Sequence, residues 1–472
     1  MQMDRTAARG QQRGVWMVCS LGVTALAGGA VSARGERVPR FEHPIVIASH
    51  SGSTWAGRPY GLAAADFLDA AGAAGQDGFP EVVVVNSGGD LLACEPAAWG
   101  LVSVFWNTGA WSSGEPGLVL VQEVSVAPGL GTEVVITDID GRDGPDLVVA
   151  ATQWVQRGPD AGVYIALNDG VGAFNPAAKH PMPLSLMGLG VTDIDADGRA
   201  DDVVGATADC PPPDGVPLDF VWVKLGDGAG GFVNQWPIRL GSPSEAAPVD
   251  LALADFVERP GPVLPDLVTA NPNADAYWVV ENLGSGRFRP FTVLKPDACL
   301  GDWGMRTIAC ADINGDGRAD FAGVAGLYAQ VFLGDGAGGF TSHCDNPGLR
   351  SRLRDEDEAP PTFAHGLCIG DLNGGAGLDV AVAMRNLAVG RSEVALLLGR
   401  GDGTFHTPTP DRAYVYSVDG DSGDPDDVAA PVCVEITDLN ADGFGDIVTT
   451  NHYSDTISVL INGGVKSGGR TP

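Results

Sequence analysis

Aspartate and asparagine recur along this chain at a spacing that would gather their side-chain oxygens around one cation. In three short loops they stand at the first, third, fifth and ninth positions, with glycine at the sixth. These residues are Asp193, Asp195, Asp197, Asp201, Asp312, Asn314, Asp316, Asp320, Asp438, Asn440, Asp442 and Asp446. Calcium takes six to eight oxygen ligands at about 2.3–2.6 Å in a forgiving geometry. The three loops are therefore predicted to bind Ca2+.

Four further copies of the loop are less complete. Two of them keep three oxygen-bearing positions and are also assigned to Ca2+: Asp138, Asp140, Asp146, Asp371, Asn373 and Asp379. Arg142 and Gly375 stand at the fifth position of these two loops, so either loop could be metal-free. The copy at residues 66–81 fits only if it carries an insertion. The copy at residues 255–266 has Glu258, Arg259 and Pro260 in its middle and is expected to hold no metal.

The elements that must position these loops follow from their repetition. The seven loops begin at residues 66, 138, 193, 255, 312, 371 and 438, so each repeat is one supersecondary unit of about 60 residues. A β-rich run follows each loop, and a second run follows a polar turn. A glycine-rich turn then leads to a third run that begins at a phenylalanine such as Phe232, Phe340 or Phe405, and a fourth run leads into the next loop. The sequence predicts an all-β fold, a seven-bladed β-propeller of four-stranded antiparallel blades with calcium-type Asp loops.

The two ends of the chain indicate how the ring closes. The last repeat stops at Gly463, before its outer strand, whereas Phe41 and residues 45–47 offer an unassigned strand at the other end. We predict that this N-terminal strand completes the last blade and protects its edge. The propeller is assigned to residues 34–465 and is followed by a polar tail at residues 466–472.

The N-terminus has the composition of an export signal. Three arginines precede an apolar stretch at residues 15–27, and Val31, Ser32 and Ala33 resemble a cleavage site, so residues 1–33 are assigned to a signal peptide. No later segment is long and apolar enough to span a bilayer. We therefore expect a secreted protein, extracellular or periplasmic, and a monomeric propeller. The formal net charge of -32 argues against binding to nucleic acid.

Seven of the eight cysteines would remain after cleavage. Export permits disulfides, and the most local candidate pairs are Cys299 with Cys310 and Cys344 with Cys368. Alternatively, Cys310, Cys368 and Cys433 lie in apolar runs before Asp loops, where buried free thiols are common. The sequence leaves both interpretations open.

Several segments resemble a known repeat family. Residues 312–320 and 438–446, each followed by an apolar residue, and the turns at residues 334–340 and 399–405 are similar to FG-GAP or VCBS-type repeats. Such repeats form the propellers of integrin α-subunits and occur in many secreted bacterial proteins. The resemblance extends over residues 41–463. It implies a propeller with calcium-binding loops that acts as a binding or adhesion surface.

Strand direction places the Asp loops and the glycine-rich turns on one face, and the longer, more variable loops on the other. That second face is predicted to bind a protein or glycan ligand, and its candidate contact residues are Trp55, Trp154, Trp303, His452 and Tyr453. A lectin, or a carbohydrate-active enzyme such as a polysaccharide lyase or glycoside hydrolase, is the alternative. The chain has no HExxH, GxSxG or Walker A motif, so no catalytic residue is predicted. An unsaturated product from pectic substrates would favour a lyase, and glycan binding without turnover a lectin.

Overall fold

The computed structural model describes residues 38–41, 44–51, 58–68, 72, 75–88, 100–111, 116–126, 130–152, 161–182, 186–199, 201–206, 220–240, 248–272, 274–295, 305–342, 345–353, 362–375, 377–386, 391–406, 413–418 and 430–463. The assigned signal peptide and the C-terminal tail lie outside these ranges. Within them, no helix is long and apolar enough to cross a membrane.

Seven antiparallel sheets contain the strands of the described residues, and each sheet is one blade, numbered here by the order of the Asp loops. Blade 1 consists of β2 (Pro59–Ala65), β3 (Glu81–Asn86), β4 (Leu101–Asn107) and β5 (Leu118–Ser125). Blade 2 consists of β6 (Leu130–Thr137), β7 (Asp146–Thr152), β8 (Gly162–Ala166) and β9 (Ala178–Pro181). Blade 3 consists of β10 (Leu186–Thr192), β11 (Asp201–Ala206), β12 (Phe220–Gly226) and β13 (Phe232–Arg239). Blade 4 consists of β14 (Asp250–Ala254), β15 (Asp266–Asn271), β16 (Ala276–Asn282) and β17 (Phe288–Leu294).

The outer strands of blades 5 and 6 are each divided into two pieces. Blade 5 consists of β18 (Met305–Ala311), β19 (Asp320–Ala325), β20 (Tyr328–Gly334), β21 (Phe340–Thr341) and β22 (Arg350–Arg352), with a 3-10 helix at Pro347–Leu349. Blade 6 consists of β23 (Thr362–Gly370), β24 (Asp379–Asn386), β25 (Arg391–Gly399), β26 (Phe405–His406) and β27 (Tyr414–Ser417). Blade 7 consists of β28 (Pro431–Thr437), β29 (Asp446–Asn451), β30 (Thr456–Leu460) and β1 (Ile45–Ala48). The predicted seven-bladed propeller is confirmed.

The chain closes its ring as the sequence predicts. Strand β1 pairs antiparallel with β30, with Ile45 opposite Val459 and Ala48 opposite Thr456, and Phe41 forms a further bridge with Asn462. The innermost strands contact one another in order around the ring, and β28 of blade 7 contacts β2 of blade 1. Closure removes the sheet edge that blade 7 would otherwise expose.

Apolar side chains from neighbouring blades form the core. Strand β3 is buried along its whole length because both of its faces are covered, which explains its unbroken valine run at residues 82–85. Near the centre, a Cβ on Gly61 would lie 2.8 Å from the Glu133 Cα, so glycine allows the first two blades to approach closely. Carboxylates also join inner strands: the Leu189 N–H donates to Glu133 at 3.2 Å, and the Ile308 N–H donates to Asp250 at 2.7 Å. These contacts hold the blades together, and with them the loops.

The two proposed cysteine pairs are wrong. Cys310 and Cys368 are free thiols, buried in apolar clusters between blades, where burial raises their pKa well above its ordinary value. The alternative interpretation holds for these two residues and fails for Cys433, which is disulfide-bonded. Since Cys310 and Cys368 are free, the partner of Cys433 lies outside the described residues.

Candidate metal centres and ligand face

A buried carboxylate closes the Asp loop and fixes it to the blade. In blade 5, Asp320 accepts hydrogen bonds from the Ile313 N–H at 2.9 Å and from the Gly334 N–H at 2.8 Å, so it ties the loop to the end of the third strand. The corresponding bonds recur in blades 2, 4, 6 and 7, where the closing residues are Asp146, Asp266, Asp379 and Asp446. The ninth position therefore has a structural role in addition to any role as a metal ligand.

The first position of the loop organises the backbone. Asp312 accepts the N–H groups of Asp316 and Gly317 at 3.0 and 2.8 Å, and the same pattern occurs at Asp193 and Asp438. Gly317 has a φ of +85°, and a Cβ there would contact nothing within 4 Å. Glycine is thus required at position 317 because of the backbone conformation, and not because a side chain would lack space.

Acidic oxygens converge in two of the loops. Ligand atoms from Asp193, Asp195 and Asp197 all lie within 4.8 Å of one another in blade 3. In blade 2 the corresponding atoms come from Asp138, Asp140 and Asp146. The loops of blades 5 and 7 have the same backbone hydrogen bonds, with Asn314 and Asn440 at the third position. A set made only of carboxylate and amide oxygens suits a hard cation such as Ca2+.

The remaining predicted metal residues have more varied surroundings. In blade 6, Asp371 accepts the Gly374 N–H at 2.7 Å, whereas Asn373 is buried and directs its amide toward Asp379. Arg142, at the fifth position in blade 2, is exposed. The side chain of Asp201 lies outside the described residues.

Blade 1 has a modified version of the loop. Asp66 accepts the N–H groups of Asp77 and Gly78 at 3.1 and 2.9 Å, and these are the bonds that Asp312 makes to its fifth and sixth positions. Glu81 takes the closing position, and its carboxylate accepts the Phe67 and Leu68 N–H groups. The loop therefore carries the insertion that its fit to the repeat required, and the extra residues lie between the first and fifth positions.

In blade 4 an arginine side chain occupies the middle of the loop. The Arg259 guanidinium lies 3.6 Å from the Asp266 carboxylate, pairs with Glu281 at 2.8 Å and donates to the Asn282 carbonyl. Arg259 stands at the fifth loop position, so a side-chain cation lies next to the closing carboxylate. Sequence reasoning expected an empty loop here and missed the ion pairs. The arginine at that position is the signal that could have indicated them.

Burial raises the pKa of the closing carboxyl groups. The pKa is about 6 for Asp146, Asp266 and Asp320, and about 7 for Asp446 and Glu81. The cause is the loss of water around the charged form, and the backbone N–H donors oppose it. A cation bound nearby would favour the ionised form of the carboxyl group, and this ionised form is the one that can bind a metal.

The opposite face carries an aromatic cluster where blades 7 and 1 meet. Tyr453 is 38% exposed at the turn between β29 and β30. His452 is buried beneath it, with ring centres 5.0 Å apart, and Tyr60 packs on His452 at 4.2 Å. Arg58 and Arg385 extend toward the Tyr453 ring, with Cζ atoms 5.8 and 4.4 Å from its centre.

The structure therefore brings together His452 and Tyr453 from the predicted ligand face. His452 supports the cluster from below, and Tyr453 is its exposed member. Trp55, Trp154 and Trp303 lie outside the described residues. The sequence analysis did not single out Arg58 or Arg385, because they come from other blades and no local motif marks them.

Comparisons with known proteins agree with this architecture. Residues 264–323, which include the loop of blade 5, match the model of an FG-GAP-like repeat. No curated protein matches the chain significantly.

Two solved structures share the fold at low sequence identity. One is catalytically inactive virginiamycin B lyase from Staphylococcus aureus with quinupristin. It has a TM-score of 0.50 and 12% identity, and the match covers 89% of this chain and 99% of that one. The other is BBS1N in complex with ARL6DN. It has a TM-score of 0.50 and 10% identity, and the match covers 90% of this chain and 99% of that one. At these identities the likeness concerns the fold alone.

Proposed function

Since this chain is a seven-bladed propeller in which residues 264–323 match an FG-GAP-like repeat, we propose that it is a secreted, calcium-stabilised module for binding, adhesion or scaffolding. The observation that carries the proposal is the loop that recurs from blade to blade, whose acidic oxygens converge within 4.8 Å of one another in blades 2 and 3. In this assignment the metal face stabilises the blades and the opposite face binds a protein or glycan ligand. The two functions are then physically separate.

The calcium sites belong to the loops of blades 3, 5 and 7, with blades 2 and 6 as weaker sites. The first, third and fifth positions would supply oxygens to the ion, which in blade 5 would come from Asp312, Asn314 and Asp316. Bound Ca2+ would offset repulsion among the clustered carboxylates. Its role here is structural, because the loops contain no nucleophile or candidate general base beyond the carboxylates that organise their backbone.

Two observations support export. The disulfide of Cys433 requires an oxidising compartment in most organisms, and residues 1–33 have the composition of a signal peptide. The formal charge of -32 keeps such a protein soluble and disfavours nucleic acid as a partner.

The proposal can be tested on the mature protein, residues 34–472, with panels of immobilised glycans and extracellular proteins. We expect binding without turnover. EDTA should lower Tm, and the molecules that stay folded in EDTA should keep their affinity for the ligand. Asp316→Ala should lower Tm, with ligand affinity unchanged. Loss of affinity in Asp316→Ala at unchanged Tm would place the ligand at the metal face and contradict the assignment. Release of an unsaturated or hydrolysed sugar would replace the binding function with an enzymatic one.

A further inference from the structure

We propose that Arg58, Tyr453 and Arg385 form a binding site for a carboxylate-bearing glycan, such as a short uronic acid oligomer. The site lies on the face opposite the Asp loops, where blades 1, 7 and 6 meet. The inference rests on the proposed function, because it names the ligand class of the face that was assigned there to ligand binding.

The three side chains converge from different parts of the chain. Arg58 precedes the first strand of blade 1, Tyr453 follows the second strand of blade 7, and Arg385 lies near the end of the second strand of blade 6. Both guanidinium carbons are within 6 Å of the tyrosine ring centre, a distance at which cation–π attraction holds the two groups near the ring. Two forks of N–H donors beside one exposed ring suit a planar carboxylate attached to a sugar.

The cluster is held before any ligand arrives. His452 is fully buried and lies between Tyr60 and Tyr453, so the exposed Tyr453 ring packs on buried side chains. A recognition residue that is already ordered loses little conformational freedom on binding. This packing also explains why Tyr453 remains beside the two arginines in the free protein.

The backbone of Arg58 is strained, and the surroundings fix it. Its φ is +71°, in the left-handed region that favours glycine. The Ser87 N–H and hydroxyl both donate to the Arg58 carbonyl, and the Arg58 N–H donates to Asp455 at 2.6 Å. Ala430 occupies the corresponding position before the first strand of blade 7, with a φ of +54°. A large charged residue in a conformation better suited to glycine indicates that its side chain is needed.

Charge indicates an anionic ligand. Arg58 and Arg385 bring two positive charges to the Tyr453 ring, and the carboxylate of Asp455, which accepts the Arg58 N–H, is an acidic group beside them. The chain as a whole is strongly negative, at -32. At physiological ionic strength charges farther away than about 8 Å are largely screened, so the local charges, two arginines and Asp455, decide what binds at contact. A short anion with one or a few carboxylates fits this balance better than a long polyanion.

A saccharide suits the surface better than a protein partner does. Tyr453 is the exposed large apolar side chain on the described part of this face, and the others lie on outer strands, in glycine-rich turns or in the loop of blade 4. A protein interface usually buries a cluster of apolar anchors at its centre. A charged sugar requires a smaller contact surface than a protein does, and one aromatic ring flanked by two cations can provide it.

The test measures the affinity of the mature protein for an oligogalacturonide by calorimetry at fixed calcium and moderate salt. Its neutral galactose counterpart is the control ligand. The oligogalacturonide should bind, and its neutral counterpart should bind at least about tenfold more weakly. Arg58→Gly should weaken binding about tenfold or more and leave Tm unchanged or higher, because glycine relieves the strained φ. Arg385→Gln should weaken binding to a similar degree.

Two matched variants isolate the site. Ala430→Gly makes the same backbone change at the corresponding position of blade 7 without altering charge, and it should leave affinity unchanged. Arg350→Gln removes a guanidinium that lies 3.6 Å from the Tyr328 ring centre in blade 5, so it tests net charge alone and should also leave affinity unchanged.

Each outcome supports or overturns the proposal. Equal affinity for the charged and neutral sugars, or equal effects of Arg58→Gly and Ala430→Gly, would overturn it. Binding of an acidic peptide such as oligoglutamate in place of the sugar would overturn the glycan class and leave the proposed binding function intact. Absence of any ligand across the glycan and protein panels would instead be a failure of the proposed function itself.

Discussion

The loops of blades 4 and 5 share one set of hydrogen bonds around the closing carboxylate, which we call the frame. They differ in the charged groups that the frame holds. In both, the closing carboxylate, Asp266 or Asp320, accepts N–H groups from the loop and from the end of the third strand; Asp320 accepts two from its loop, those of Ile313 and Asn314. Blade 4 places the Arg259 guanidinium beside that carboxylate, whereas blade 5 offers the oxygens of Asp312, Asn314 and Asp316. The frame is therefore common to both blades, and the charged groups of the loop differ: a guanidinium lies beside the closing carboxylate in blade 4, whereas in blade 5 Arg318 lies 3.9 Å from Asp316.

This comparison teaches that the two loops share the closing carboxylate, whereas a metal site is proposed for blade 5 and not for blade 4. Burial raises the pKa of both Asp266 and Asp320 to about 6, so each blade has a carboxylate that benefits from a cation. Blade 4 supplies the cation from its own sequence. Blade 5 is proposed to take it from solution.

Removal of the closing carboxylate should have the largest effect. Asp320→Ala leaves the buried Ile313 and Gly334 N–H groups without acceptors, so we expect about 3 kcal/mol or more of destabilisation. Asp266→Ala should be at least as damaging, because Arg259 loses one of its two carboxylate partners. Denaturant unfolding of the mature protein would measure both, with Asp335→Asn in the neighbouring turn as a control. Full recovery of Asp320→Ala by calcium would show that metal, and not the carboxylate, maintains the frame.

Removal of the internal cation should have the next largest effect. Arg259→Met leaves Asp266 and Glu281 with less compensating charge, and we expect about 2 kcal/mol of destabilisation. This figure is below that for a fully buried pair because the Arg259 side chain is 28% exposed and Glu281 also pairs with Arg289. Arg289→Met, which removes the more exposed partner of Glu281, should cost well under 1 kcal/mol. Equal losses from the two variants would remove the special role of Arg259.

Calcium should distinguish the two blades directly. With a Kd of about 0.1–1 mM, 1 mM calcium would stabilise each occupied site by about 0.4–1.4 kcal/mol. Asp316→Ala should remove one such increment, whereas Arg259→Met should leave the calcium response at its wild-type size. Thermal unfolding in EDTA and in calcium, for all three proteins, is the measurement. A wild-type Tm insensitive to EDTA would contradict calcium binding in blade 5 and in its homologous loops.

The smallest expected effect is on pH dependence. The folded-state pKa of Asp266 exceeds its ordinary value of 3.8, so the folded protein binds this proton more tightly than the unfolded chain does. The resulting stabilisation is complete below about pH 4 and is lost as pH rises through about 6. Arg259 lowers this pKa, so Arg259→Met should raise it and enlarge the stability lost between pH 4 and 7 by less than about 1 kcal/mol. An unchanged difference between variant and wild type across that range would exclude the coupling.

Much of the fold could be predicted because it depends on local repetition. The oxygen spacing and sixth-position glycine of the three complete loops, and the phenylalanine after the glycine-rich turns of blades 3, 5 and 6, are each set within a few residues and recur in several repeats. Ring closure was also predictable, since a blade lacking an outer strand and a spare strand at the other terminus can satisfy each other. The sequence left the state of the cysteines open, because spacing along the chain does not show which thiols meet in space; Cys310 and Cys368 are free and Cys433 is disulfide-bonded.

By itself, the sequence determined the number of blades, the strand order and which residues stand in each loop, because these follow from periods and short-range backbone chemistry. Only the tertiary structure decided that Arg259 neutralises the loop of blade 4 and that Cys310 and Cys368 stay free thiols. It alone also brought Arg58 and Arg385 to Tyr453. These outcomes join residues from different turns, strands or blades, so they depend on how the ring places elements that are distant along the chain. The physical reason is that side-chain charges and ring contacts act over a few ångströms in space, whatever their separation in sequence.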